Sequence, residues 1–378
     1  MRAVHRISYS RALHPGAWWL WALGLAAAAS RTKNPVPLVL IIAVTGLVVA
    51  ARRTDAPWAR AYRAFLKLAL LVIAIRIVLQ ALLSEGAQGV TVLFTLPEVP
   101  MPDSFAGVKL GGDVTAEAVL TAFYDGLQLA TILVCMGAAN SLASARRLLR
   151  CVPGALYEVG VATVVALTFA PQLVTDAARV RSAHRLRGHS GGGIAMFTRT
   201  AMPVVEGALE RSVELAAAMD SRGYGRTTAS SRGSRRWTAA LTFGGLIGVC
   251  IGVYGLLDGS ASPLLGVPSL LVGAALAGAG LGLGSRRTRR TRYRPDPWSL
   301  PEWLVTGSGM AAAVALFATA TLDPATLVLA GPLVVPEVPW LALAGILLAA
   351  APAVVAPPPP AYAAAIPADR PRPTEVAA

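Results

Sequence analysis

Charge is scarce in this sequence: Asp, Glu, Lys and Arg supply 14% of its 378 residues, against about 25% in ordinary soluble domains. With 55% of the chain hydrophobic, a water-soluble fold is excluded, because that much apolar surface could not be hidden in one core. Lysine stands only at positions 33, 67 and 109, never in a GxxxxGK[ST] context, which rules out a phosphate-binding loop. Cysteine occurs at Cys135, Cys151 and Cys250 with no CxxC pair, so neither a zinc site nor a disulfide framework is indicated. There is no HExxH, no GxSxG and no Cys/His ligand spacing, and the four histidines fall outside the apolar runs. No catalytic residue, metal or cofactor is therefore expected on this chain.

What the sequence does contain is apolar runs of membrane-crossing length separated by arginine. Residues 17–30 and 36–51 read as two short spans split by the turn RTKNP, with Trp18, Trp19 and Trp21 suited to an interfacial belt. The first run leads straight into the second, not into a small-residue cleavage site, so it is not read as a cleavable signal peptide. Arg52, Arg53, Arg60 and Arg63 follow, then a third span near 65–84. The loop 85–117 carries Glu85, Glu98, Asp103, Asp113 and Glu117 against Lys109 and is expected to face outward. A fourth span, 118–139, ends at Arg146, Arg147 and Arg150. Further candidates are 237–257, 263–284, 302–320 and 339–355. The net charge of +14 is then the signature of basic loops held inside the cell, not of nucleic-acid binding. The sequence predicts an all-α polytopic membrane protein of about eight transmembrane helices, in a bacterial inner membrane, with a cytoplasmic N-terminus.

The stretch 153–174 is apolar and long enough to cross. Yet eleven arginines follow between 175 and 236, and basic residues flank both ends. A simple crossing would put the most basic part of the chain outside, so 153–174 is expected to lie in the membrane plane or to dip and return, where Glu158 and Pro171 cost less than in a lipid-exposed span. The expected segments are 1–152 with four spans, 153–236 as a cytoplasmic or in-plane region, 237–356 with the remaining spans, and a proline-rich, disordered tail 357–378.

Two charges fall inside the expected spans. Arg76 and Asp125 stand on consecutive antiparallel helices, each about seven residues from the outer end and so about 10 Å deep. A lone charge there costs about 2.5 kcal/mol or more, and a bridge between them lowers that cost. The alternative is an ion or proton path.

The insert holds two helix-like stretches that end alike. TDAARVRSAHRLRG stops at Arg187-Gly188, and VVEGALERSVELAAAMDSRGYG stops at Arg222-Gly223. Glycine ends a helix by accepting the left-handed conformation, and an arginine just before it leaves a guanidinium at the negative end of the macrodipole. On the second helix Val205, Leu209, Val213 and Ala216 share one face, and Glu206, Glu210 and Glu214 form another. Two arginine tips on the cytoplasmic side suit docking into two acidic grooves of a soluble partner, since a guanidinium matches a carboxylate in a planar fork.

At these residues the chain resembles the transmembrane T component of energy-coupling factor transporters, the EcfT/CbiQ family, most closely over 140–226. Members carry two short arginine-centred coupling motifs, commonly Ala-Arg-Gly; the matching triplets here are Leu186-Arg187-Gly188 and Ser221-Arg222-Gly223. AAAMDSRGYG resembles the second motif in its wider setting, and YEVGVATVVALTFAPQLV the segment before the first, with Glu158, Phe169 and Pro171 in place and Thr168 where an arginine is frequent. The resemblance implies two ABC-type ATPase subunits gripping Arg187 and Arg222, with ATP bound by those partners and none here. It implies a small membrane substrate-binding component packed on the same subunit, and uptake of a vitamin or a metal ion such as cobalt. The chain would then be a non-catalytic subunit. The competing readings are a secondary transporter, which calls for inverted repeats that are not detected, and an intramembrane lipid-modifying enzyme, which calls for a polar cluster that is not found.

Overall fold

The computed structural model describes residues 13–53, 61–82, 89–99, 110–143, 145–150, 157–188, 194–224, 232–257, 265–287, 298–327 and, apart from 332 and 335, 331–358. Glu85, Asp103 and Lys109, the arginines from 289 to 294 and the tail beyond 358 lie outside the described residues. Among the described residues helices dominate, and seven of them are long and apolar enough to cross a membrane. They belong to two compact units, residues 1–148 with 295–378, and residues 149–294. The expected segments divided the chain differently: they grouped 237–284 with the last spans.

The first unit begins with α1 (Pro15–Ser30) and α2 (Pro35–Arg52). Each starts with proline, which has no N–H to orphan at a helix start, and each is capped by the residue before it. His14 Nδ1 accepts from Gly16 N–H at 3.1 Å, and Asn34 Oδ1 from Val36 N–H at 3.0 Å. Next come α3 (Ala61–Leu82) and α4 (Ala116–Leu142), and then a single turn and a half, α5 (Ala145–Arg150). The unit closes with α10 (Leu300–Leu322), α11 (Trp340–Leu348) and α12 (Pro352–Val355). Its core is built from Trp21, Leu25, Leu38, Ile41, Leu316 and Ile346, all fully buried.

Three departures from the sequence reading have local causes. The loop between α3 and α4 contains an antiparallel strand pair, β1 (Val92–Val99) and β2 (Leu110–Thr115), with Val92 opposite Thr115 and Leu96 opposite Gly112. Glu117, in the first turn of α4, holds the base of this strand pair by accepting from the N–H groups of Val90 and Thr91 at 3.3 Å and from the Thr91 hydroxyl at 3.1 Å. The last expected span, 339–355, is broken into α11 and α12. Pro352 has no N–H for the carbonyl of Leu348, four residues back, and that carbonyl instead takes Ala351 N–H at 3.0 Å. Finally, residues expected as a separate in-plane or re-entrant segment form the first half of one continuous helix, α6 (Tyr157–Leu186), with Pro171 inside it. A dip and return within 157–174 is thereby excluded.

The direction of the chain in the first unit follows from its contacts. Gln128 of α4 donates to Ala29 O and Ser30 O at the end of α1, at 3.1 and 3.0 Å, and Lys33, further along the chain, meets Asp125, earlier on α4, so the two segments run antiparallel. α10 begins beside the start of α1, where His14 N–H meets Glu302 Oε1 at 3.4 Å. Beyond its end, Leu327 O accepts from Thr32 Oγ1 at 3.1 Å, next to the end of α1. α4 therefore finishes, and α10 starts, at the same end of the bundle.

The second unit holds α6, α7 (Ile194–Ser221), α8 (Arg232–Leu257) and α9 (Val267–Arg287). α8 and α9 are an antiparallel pair joined through glycine: a Cβ on Gly245 would fall 2.3 Å from Ala277 N, and one on Gly252 would fall 2.5 Å from Leu270 N. Small residues allow this approach, which maximises dispersion contact where no hydrophobic effect operates between helices.

The same device joins α1 to α10. A Cβ on Gly24 would lie 2.5 Å from Gly309 O, and one on Gly309 would lie 2.5 Å from Trp21 O. Because backbone, not a flexible side chain, stands in the way, Gly24→Leu or Gly309→Leu forces the helices apart, costing about 3 kcal/mol or more. The expected outcome is loss of the monodisperse peak in detergent size-exclusion chromatography for either variant, while Gly307→Leu, which meets open space, behaves like the parent.

Candidate functional site

Two places bring together the residues singled out from the sequence. The first is in the membrane bundle. A Cβ on Gly126 would lie 3.1 Å from Ile73 Cα, so α3 and α4 run close at this level. That approach sets Arg76 beside Asp125, with Nη2 donating to Oδ2 at 3.1 Å. The second carboxylate oxygen is taken by a residue the sequence reading had treated as turn punctuation: Lys33 Nζ stands 2.7 Å from Oδ1. Asp125 is thus shared by two cations, one from α3 and one from the α1–α2 turn. Its side chain is 20% exposed, against 48% and 57% for Arg76 and Lys33. A signal for Lys33 was available, since a turn between two short spans must lie at the level of the outer end of α4.

The second place is the α6–α7 pair. Phe169, Leu173, Asp176, Val180 and His184 form a half-buried stripe on α6, and Val204, Ala208, Arg211, Leu215 and Met219 form one on α7. The face noted in the sequence is a different one. Val205, Leu209 and Val213 are 53, 62 and 68% exposed, alongside exposed Glu206, Glu210 and Glu214. Asp176 joins the two helices: Arg211 Nη2 donates to its Oδ2, and Arg179 Nη1 donates to its Oδ1 at 3.1 Å. Neither Asp176 nor Arg211 was picked out from sequence, where each looked like one more charge on a polar face.

Both helix ends close on glycine in the left-handed conformation, Gly188 at φ +76° and Gly223 at φ +75°. Gly188 N–H bonds Arg185 O at 3.1 Å, and Gly223 N–H bonds Asp220 O at 2.8 Å. At the second end Tyr224 N–H also reaches Met219 O at 3.0 Å, completing a Schellman motif. Space around Gly188 is open, so glycine is required there by backbone conformation and not by crowding. Leu186, Arg187, Ser221 and Arg222 are all exposed, Leu186 at 90%. Each end therefore presents a guanidinium next to an uncovered neighbour, on a backbone turn fixed by two or more hydrogen bonds. Pro171 lies four turns upstream of the first end, and Glu158 falls in the opening turn of α6.

Nothing in either place resembles a reaction centre. Among the described residues no group of three His, Cys, Asp or Glu could hold a metal ion. The chemistry on offer is recognition by charge and transmission through rigid helices.

Comparison with known proteins gives the family of the chain. A family model described as CbiQ, cobalt transport protein, matches residues 8–232. The energy-coupling factor transporter transmembrane protein EcfT of Limosilactobacillus fermentum (strain CECT 5716 / Lc40) is 24% identical over 202 residues, covering 51% of this chain and 71% of that protein. The matched region contains Arg76, Asp125 and both arginine-capped ends, and it stops at the first residue of α8.

Removing the Asp125 carboxylate leaves Lys33 and Arg76 facing each other. Arg76 then stands inside a span without its carboxylate, at a cost of about 2.5 kcal/mol or more. Asp125→Asn should lower the melting temperature in detergent by about 5 °C or more, and Arg76→Met added to it should recover part of the drop. An Asp125→Asn chain of unchanged stability that has lost transport would show instead that the carboxylate serves an ion path.

Proposed function

Because the chain belongs to the CbiQ cobalt transport protein family, we propose that it is the coupling subunit through which two ABC-type ATPases drive a small membrane substrate-binding component. The single observation that carries this reading is the pair of helix ends Arg187-Gly188 and Arg222-Gly223, both exposed and both closed by left-handed glycine. Each guanidinium can enter an acidic groove on one ATPase, a contact worth about 1.5–3 kcal/mol. Motion of the ATPases on binding and hydrolysing ATP then moves α6 and α7, and these shift the substrate-binding component so that a vitamin or metal ion is released inward. This chain binds no nucleotide in that cycle; ATP stays with the partners, and substrate choice stays with the binding component.

Chain direction supports a cytoplasmic position for these ends. The chain leaves the first unit at the end of α4 and returns at the start of α10, on the same side, so an even number of crossings lies between. α8 and α9 are paired along their length and cross together. α7 carries Arg199, Glu206, Glu210, Arg211 and Glu214, too many charges for a span. α6 is long and apolar enough to cross, but a crossing by α6 alone breaks the parity. Both helices then stay on the side of His14, Arg52, Arg53 and Arg147, which the positive-inside rule assigns to the cytoplasm, with the N-terminus on that side of a bacterial plasma membrane.

The test is co-purification. The parent chain should carry ATPase subunits from solubilised membranes. Arg187→Ala or Arg222→Ala alone should cut the recovered ATPase by about tenfold or more, as loss of one charged contact implies, and the double variant should abolish uptake. Full ATPase recovery and full uptake in the double variant would overturn the site assignment.

A further inference from the structure

Asp176 and Arg211 are 35 residues apart in the chain, and so are Arg187 and Arg222. Asp176 therefore precedes its tip arginine by the same eleven positions as Arg211 precedes its own. Eleven residues are three helical turns plus about 20° of rotation, a length of about 16 Å. Each linking residue thus lies almost directly below its tip arginine on the same side of its helix. No helix breaker falls in either interval: Pro171 and Pro203 both lie on the far side of the linking residues from the tips.

From this we propose that Asp176 and Arg211 are positioning residues, a shared pivot from which two helical arms of equal length hold the arginine tips at a fixed separation. The inference rests on the coupling role proposed above and assigns the residues that set its geometry. The chemistry of the pair suits the task. Asp176 is largely buried, with a side chain 15% exposed, and Arg211 is half-buried at 35%. Arg211 is itself held, since its Nε donates to Gly207 O one turn back at 3.1 Å. Arg179 occupies the other carboxylate oxygen, which fixes the orientation of the carboxylate plane but stays on the same helix as Asp176. Between Asp176 and Arg187, and between Arg211 and Arg222, most residues are exposed and none is fully buried. Burial over the arms is therefore slight, and a directional ion pair is what resists their sliding or splaying. Equal arms from one pivot give each tip the same displacement for the same rotation.

The experiment measures tip separation directly. In full-length chain with Cys135, Cys151 and Cys250 replaced by alanine, spin labels at Ala183→Cys and Ala218→Cys, both exposed and one turn before the tips, report a distance distribution in lipid nanodiscs by pulsed electron paramagnetic resonance. The parent should give one narrow distribution. Asp176→Asn or Arg211→Met should widen it at least twofold with helix content unchanged by circular dichroism. Arg179→Ala should leave the width as it was. The exchanged pair, Asp176→Arg with Arg211→Asp, should restore the narrow distribution, which a merely structural loss would not do. An unchanged width in both single variants, or failure of the exchanged pair to narrow it while the helices remain intact, overturns the pivot. The measurement needs no ATPase, so its failure is separable from failure of the coupling role, which co-purification tests independently.

Discussion

A carboxylate gripped from two sides by cations recurs in both units of this protein, and the account depends on that interaction. Asp125 is shared by Lys33 and Arg76, and Asp176 by Arg179 and Arg211. In a chain so poor in acidic groups each such carboxylate does more than balance a charge. It ties one helix to another in surroundings where apolar contact alone gives little directional preference: helix against helix in lipid, and two slender helices with uncovered outer faces. The first of these knots keeps the ends of α1, α3 and α4 in step. The second sets how α6 and α7 meet, and through them where Arg187 and Arg222 are held.

Around these knots, packing follows the rules of a membrane interior. Backbones approach at glycine, as Gly24 and Gly309 do between α1 and α10 and Gly245 and Gly273 do between α8 and α9. Polar side chains satisfy carbonyls freed by breaks in helices. The Trp21 indole donates to Ala349 O at 3.0 Å where α11 gives way to α12, and Arg52 donates to Ala353 O and Val354 O at the end of α12. The C-terminal helices lie beyond the region matched by the family model, yet they are not an appendage. Asn34 bonds Thr326 O and Glu337 O, and Thr32 bonds Leu327 O, so the segment from α10 to α12 completes the bundle begun by the first fifty residues.

Much of this was legible in the sequence because its cause is local. Apolar length marked the spans, and Arg-Gly twice over marked helix ends that do close in the left-handed conformation. What escaped depends on relations between distant segments. The strand pair within 92–115 was hidden because VLFTL is apolar on both faces and gives no alternation. Lys33 and Asp176 were hidden because a charge in a turn or on a polar helix face carries no mark of its partner. Residues 157–186 were divided because Pro171 and the change from apolar to arginine-rich sequence imitate a boundary, whereas the helix runs through both. The two Arg-Gly helix ends could be read from sequence; the ion pair between Asp176 and Arg211 that links their helices needed the fold.

The central claim is that Arg187 and Arg222 face the interior of the cell as the tips of two linked helices. Side-specific labelling decides it. Single cysteines placed at Leu186 and Ser221, in chains free of other cysteines, are exposed to a membrane-impermeant maleimide on intact spheroplasts. The account predicts no labelling at either position until the membrane is permeabilised, with both reacting fully afterwards. Labelling of either position from outside intact cells would contradict it.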